Sequence, residues 1–295
     1  MNKKIENQTF QQERALYNLT DAEVINCHFG GEEDGESCLK EARNISVKNS
    51  YINLRYPMWH NHHFELIDSE LDENARAAFW YSTDGLIRNV KVKTIKSLRN
   101  AERIRIENSD IVAKEVGWFC KDIYMENSHL EGDYPFLRAE NITINNSKID
   151  GKYSLQYMEN VRITNSILNT KDAFWHSKNV VVENCKINGA YLAWYAEDIT
   201  FINCEITGTQ PICYTKKVKM INCTMHNTDL AFEYSDVEAD IVGHIDSVKN
   251  PKSGYIRADS IGDIILKDSI METNAVIEVR SAKENSEKCM SCSAN

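Results

Sequence analysis

Apolar residues in this chain alternate with polar ones in short runs, and the runs recur. In Ala139–Gly151, AENITINNSKIDG, Ile142 and Ile144 alternate with Thr143 and Asn145, Asn146–Ser147 follows, and Ile149 alternates with Lys148 and Asp150. Ile142 has equivalents in Ile104, Ile123, Val161, Val180, Ile199 and Val218, and Ile144 in Ile106, Met125, Ile163, Val182, Phe201 and Met220. A period of two with β-branched residues predicts strands, and helical periodicity is missing. Asn89, Asn108, Asn127, Asn146, Asn165, Asn184, Asn203 and Asn222 each lie 19 residues apart, and from Asn108 onward a Ser or Cys follows. Earlier members are Asn26, Asn49 and Asp68; Asp246 and Asp268 continue the series at looser spacing.

Positions one repeat apart stack if each repeat is one coil of a solenoid, with parallel strands about 4.8 Å apart. Each Asn amide then bonds its neighbours above and below, satisfying buried polar groups. Asn also tolerates the left-handed conformation of a tight bend. The predicted fold is all-β: a single-stranded, right-handed parallel β-helix of about 19-residue coils with an asparagine ladder. The expected organisation is an N-terminal cap over residues 1–20, a β-helix domain over 21–280 and a disordered tail over 281–295.

Composition narrows the function. Over 295 residues the net charge is −10, so a nucleic-acid partner is not expected, because phosphate binding needs a basic face. No apolar run approaches the roughly 20 residues that span a bilayer, and no membrane partner is expected. The polar N-terminus and the odd number of cysteines, 9, predict a reducing cytoplasm and free thiols. No phosphate loop, dinucleotide fingerprint or nucleophile elbow is present, and no cofactor is expected.

The stretches Arg55–His60 (RYPMWH), Ala77–Tyr81 (AAFWY), Asp172–His176 (DAFWH), Gln210–Tyr214 (QPICY) and Phe232–Asp246 (FEYSDVEADIVGHID) resemble the bacterial family known as domain of unknown function 3737. The similarity runs roughly from Glu13 to Val279. It implies one domain of the pectin-lyase-like β-helix class, and it brings no catalytic roles.

The unusual residues gather on an expected third strand of each coil. One column holds Trp59, Trp80, Arg99, Trp118, Leu137, Gln156, Trp175, Trp194, Cys213 and Phe232, including all 5 tryptophans. The preceding column, Met58 to Ala231, carries no charged residue and reads as interior. The following column holds His60, Tyr81, Asn100, Phe119, Arg138, Tyr157, His176, Tyr195, Tyr214 and Glu233. Strand alternation offers two parities. Either the tryptophans face solvent with Arg99 and Gln156, or they are buried and Tyr157, His176, Tyr195, Arg138 and Glu233 face out. The first is favoured, because an unpaired buried Arg99 is costly.

Either parity leaves an aromatic face suited to sugar rings, whose C–H faces lie on aromatic rings while polar groups bond the hydroxyls. The expected ligand-binding residues are Trp59, Trp80, Arg99, Trp118, Gln156, Tyr157, Trp175, Trp194, Tyr195 and Tyr214. The leading function is binding of an oligo- or polysaccharide. If catalysis accompanies it, Asp172, His176, Arg138 and Glu233 are the polar candidates, although neither Asp229 with Glu233 nor Asp172 with Asp229 has convincing glycosidase spacing. The alternative is a non-catalytic scaffold or homo-oligomer whose aromatic face is a protein–protein interface. His60, His62 and His63 lack a fourth converging ligand, so no metal site is expected. Cys185, Cys204 and Cys223 read as packed small residues, and Cys289–Cys292 is a weak CxxC signal.

Overall fold

In the computed structural model, residues 3–281 are described; the expected tail beyond Ser281, with Cys289 and Cys292, lies outside the described residues. The chain forms two compact units, Met1–Arg162 and Ile163–Asn295. Both consist of parallel strands, and neither contains a helix among the described residues. The fold is a parallel β-solenoid of about 19-residue coils, as the repeat predicts.

In the first unit, six-residue strands such as Thr83–Arg88, Glu102–Glu107, Lys121–Glu126 and Glu140–Asn145 stack in parallel register. Gly85 pairs with Ile104, Ile104 with Ile123, and Ile123 with Ile142. Lys3–Glu6 already pairs with Thr20–Ile25, so the coil pattern begins at the first described residues. In the second unit Lys178–Glu183, Glu197–Ile202 and Lys216–His226 repeat the arrangement through Val180, Ile199 and Val218. These columns are fully buried in both units. Their β-branched side chains fill the interior because successive residues of a strand point to opposite faces.

Every asparagine of the strict series has φ between 44° and 54°, the left-handed conformation expected of the bend. In the first unit Asn146 Nδ2 donates to Asn127 Oδ1 at 2.6 Å; in the second, Asn203 donates to Asn184 at 3.0 Å and Asn222 to Asn203 at 2.8 Å. The ladder runs on the exposed surface, which corrects the expectation of buried amides. The buried polar column is the next one. Ser109 N–H donates to Ser128 Oγ at 3.0 Å, Ser128 N–H donates to Ser147 Oγ at 3.1 Å, and Ser128 O–H donates to the Glu126 carbonyl at 2.7 Å. The left-handed bend turns the asparagine outward and directs the following small residue inward. In the second unit Cys185, Cys204 and Cys223 take the serine place, each Sγ within 3.5 Å of the carbonyl two residues earlier.

The expected third strand is mostly a turn. Among the described residues of these columns Phe79–Trp80 and Leu98–Arg99 form short strands, paired with each other, and Arg99 and Ala231 make isolated parallel bridges to Trp118 and Val248. From Gly117 onward the backbone visits the left-handed region at alternate residues: Tyr134, Phe136 and Arg138 in the first unit, and Tyr191, Ala193 and Tyr195 in the second. This departure decides which side chains reach the surface.

Candidate functional site

The interior column at this corner is as expected: Met58, Phe79, Leu98, Phe136, Leu155, Phe174, Ala193 and Ile212 are all buried. The two columns beside it do not follow strand alternation. Trp59, Trp80, Arg99, Trp118, Trp175 and Trp194 are half-buried, while Tyr81, Tyr157 and Tyr195 in the following column are 39%, 44% and 43% exposed. The following residue has positive φ throughout, from His60 at 55° to Tyr214 at 57°. A left-handed residue breaks the pleat, so its side chain emerges on the same side as its predecessor. The two parities posed by the sequence are therefore not alternatives, and side chains of both columns reach the surface, while Gln156 and Cys213 of the tryptophan column stay buried.

In the second unit the two columns form two stacks. Trp175 and Trp194 lie with ring centroids 5.6 Å apart and planes 5° apart. His176, Tyr195 and Tyr214 form the other stack, each step 4.9 Å. The Tyr195 ring meets the Trp175 and Trp194 planes at 80° and 76°. Atoms in contact lie about 3.5–4.0 Å apart, so stacked rings with these centroid spacings are slipped, and each leaves part of its face uncovered. Trp175 Nε1 donates to the Tyr191 carbonyl at 3.0 Å, and Trp194 Nε1 to the Gln210 carbonyl at 2.7 Å.

The end of this strip shifts by one residue from the sequence register. Tyr214 N–H donates to the Glu233 carbonyl, and Phe232 N–H to the Pro211 carbonyl. Tyr234 therefore follows Tyr214, at 5.3 Å between centroids. Phe232, expected in the tryptophan column, is fully buried in the interior column instead. One extra residue between Tyr214 and Tyr234 causes the shift. Glu233 falls beyond Cys213 in the tryptophan column, where it pairs with Lys249 Nζ at 2.9 Å. The Glu233 carboxylate in turn raises the Lys249 pKa.

The first unit presents a different surface. Trp59 and Trp80 stack at 5.6 Å and 10°, with Tyr81 edge-on to both at 6.0 and 6.2 Å. Arg99 lies between Trp80 and Trp118, its guanidinium carbon 5.1 and 5.6 Å from their centroids. This explains how a half-buried arginine is tolerated, because ring faces attract a cation. Arg138 is exposed and stands 5.1 Å from the Tyr157 ring. Gln156, expected at the surface, is buried, with 6% exposure.

Among the other polar candidates, Asp172 is buried, and burial pushes its carboxyl pKa up while Lys171, at 3.9 Å, pulls it back. His176 is exposed and stacked on Tyr195. His62 Nδ1 bonds Thr83 Oγ1 at 2.9 Å, and burial lowers its pKa.

Sequence reasoning missed Lys40, Arg55, Tyr56 and Arg76. Lys40 lies 19 residues before Trp59, and counting back one repeat would have placed it in the tryptophan column. Its Nζ sits 5.3 Å from the Trp59 centroid.

A family model described as "Protein of unknown function (DUF3737)" matches residues 3–278. No curated protein matches the sequence. Among solved structures, the chain is similar to the Agl-KA catalytic domain, with TM-score 0.43 and 11% identity, over 93% of this chain and 62% of that one. It thus spans about three fifths of that chain. It is also similar to PfbA, a surface adhesin of Streptococcus pneumoniae, with TM-score 0.35 and 10% identity over 88% and 82% of the two chains. A third likeness is to endo-xylogalacturonan hydrolase from Aspergillus tubingensis, with TM-score 0.34 and 10% identity over 94% and 92%.

Proposed function

The chain belongs to the DUF3737 family, whose description names no activity, and we propose that it binds carbohydrate along the aromatic corners of its two units. The observation that carries this reading is the pair of outward columns. Left-handed residues at His60, Tyr81, Tyr157, His176, Tyr195 and Tyr214 put two rows of side chains on one surface, where strand alternation would leave one. Slipped rings supply uncovered apolar faces for sugar C–H groups. Hydroxyl and imidazole groups along the same rows supply hydrogen bonds for sugar hydroxyls. Asp172 is buried and Glu233 is tied to Lys249, so recognition is the better supported role for this surface.

The test is iodide quenching of tryptophan fluorescence during titration with neutral and acidic oligosaccharides. A bound sugar is expected to shield Trp175 and Trp194, and the shielding should vanish in Tyr195→Ala, a change at an exposed side chain that leaves the indole hydrogen bonds intact. If no oligosaccharide alters the quenching of the native chain, the reading is wrong.

A further inference from the structure

We infer that the corner of the first unit recognises an anionic saccharide, a sugar ring bearing a carboxylate or sulfate. This rests on the carbohydrate reading above and names its ligand class.

The first observation is a set of cations that no carboxylate pairs. The protein carries a net charge of −10, and at this one corner Lys40, Arg55, Arg76, Lys96 and Arg99 stand among the carboxylates Asp34, Glu36, Glu41 and Glu115. Arg55 is paired with Asp34 at 2.9 Å and with Glu36 at 3.5 Å, and Lys96 with Glu115 at 3.3 Å. Among the described residues, Lys40, Arg76 and Arg99 have no carboxylate within 4.0 Å. Each instead stands beside an aromatic ring: Lys40 at Trp59, Arg76 5.7 Å from the Tyr56 centroid, and Arg99 between Trp80 and Trp118. A cation over a ring keeps its hydrogen-bonding capacity for an incoming acceptor, since the ring engages only its charge.

The second observation is independent of charge. The N–H groups of Arg55 Nε, Trp59 Nε1, Arg76 Nε and Trp118 Nε1 are shielded from water and have no hydrogen-bond partner. Tryptophans of the second unit differ on this point, because Trp175 and Trp194 each bond a backbone carbonyl. An acidic sugar supplies negatively charged acceptor oxygens for Lys40, Arg76 and Arg99, and a ring for the indole and phenol faces. Arginine favours such oxygens because its planar donor fork matches them in pairs.

Calorimetric titration of the full chain with oligogalacturonate, a heparin oligosaccharide and a neutral cello-oligosaccharide tests this. At least one acidic sugar is expected to bind more tightly than the neutral one, with affinity falling as salt rises. Arg76→Gln with Lys40→Gln should weaken that binding by at least about tenfold, since each lost charge-assisted contact is worth about that much. An unchanged thermal melt would show that the double variant is folded. Binding of oligogalacturonate alone names a carboxylate, and of heparin alone a sulfate. Tight neutral binding with no preference for acid overturns the ligand class and leaves the carbohydrate reading standing. Acidic binding that is indifferent to both substitutions overturns the assignment to this corner. Absence of any binding removes both readings.

Discussion

Trp194 donates its indole N–H to the Gln210 carbonyl at 2.7 Å, binding an aromatic side chain of one coil to the backbone of the next. The residue that looks most like a ligand platform is therefore also part of the stacking of the second unit. Trp194→Phe keeps a ring in place and removes the bond, and a net cost of about 1 kcal/mol is expected. Urea denaturation of the variant measures it. A loss well below that would mean the bond contributes nothing beyond ring packing.

The buried serine column gives a sharper expectation. Ser128 Oγ is the acceptor for the Ser109 N–H, so Ser128→Ala leaves a buried donor without an acceptor. The expected loss is about 1–3 kcal/mol. Ser128→Cys should cost clearly less, because Cys185 fills the same place in the second unit with its Sγ 3.4 Å from the Ser166 nitrogen. Equal losses for both variants in chemical denaturation would contradict this account.

Asp84 and Arg103 form a bidentate pair, with Nε to Oδ1 at 2.6 Å and Nη2 to Oδ2 at 3.0 Å. The guanidinium lowers the Asp84 carboxyl to about 2. The ordinary value is about 4. A depressed acid stabilises the fold fully above its unfolded pKa, and the contribution is lost as pH falls through the folded one. Native protein should therefore exceed Asp84→Asn in stability above about pH 5, with the difference closing towards about pH 2. The pair is partly exposed, so the difference is expected to be small and to shrink in salt. Denaturation curves across that pH range provide the check, and a gap independent of pH would rule out the pair as its source.

Arg280 is buried beneath the last described coil, where its guanidinium donates to the Ile241 carbonyl at 2.7 Å and pairs with Asp259 and Asp240. Its removal leaves two partly exposed carboxylates, one of which keeps Arg257 at 3.7 Å, and Arg280→Ala should cost about 1.5–3 kcal/mol through the lost charge-assisted hydrogen bonds. Val276–Val279 pairs with Ser253–Ala258 just before this anchor. Its amides should exchange hydrogen faster in the variant than those of Glu197–Ile202. Uniform acceleration across the second unit would show that Arg280 stabilises more than the terminal coil.

By itself, the sequence determined the repeat, the strands on either side of each asparagine, the left-handed bend at that asparagine and the interior columns, but not the turn that replaces the expected third strand. These follow from local rules: a period of two, β-branching, and a residue that tolerates positive φ at a fixed interval. Four things were decided only by the tertiary structure. The asparagine ladder lies at the surface and the serine column inside, because the bend reverses which side chain turns inward. Phe232 entered the core and Tyr234 joined the aromatic strip, because one extra residue between Tyr214 and Tyr234 shifts a register that no local pattern marks. Tryptophans and tyrosines share one face, because left-handed residues such as Tyr195 break the alternation on which the sequence reading relied. The cations of the first unit converge on Trp59 and Trp80 because closing each coil brings residues about one repeat apart into contact, a proximity set by the stacking of coils and not by any single segment.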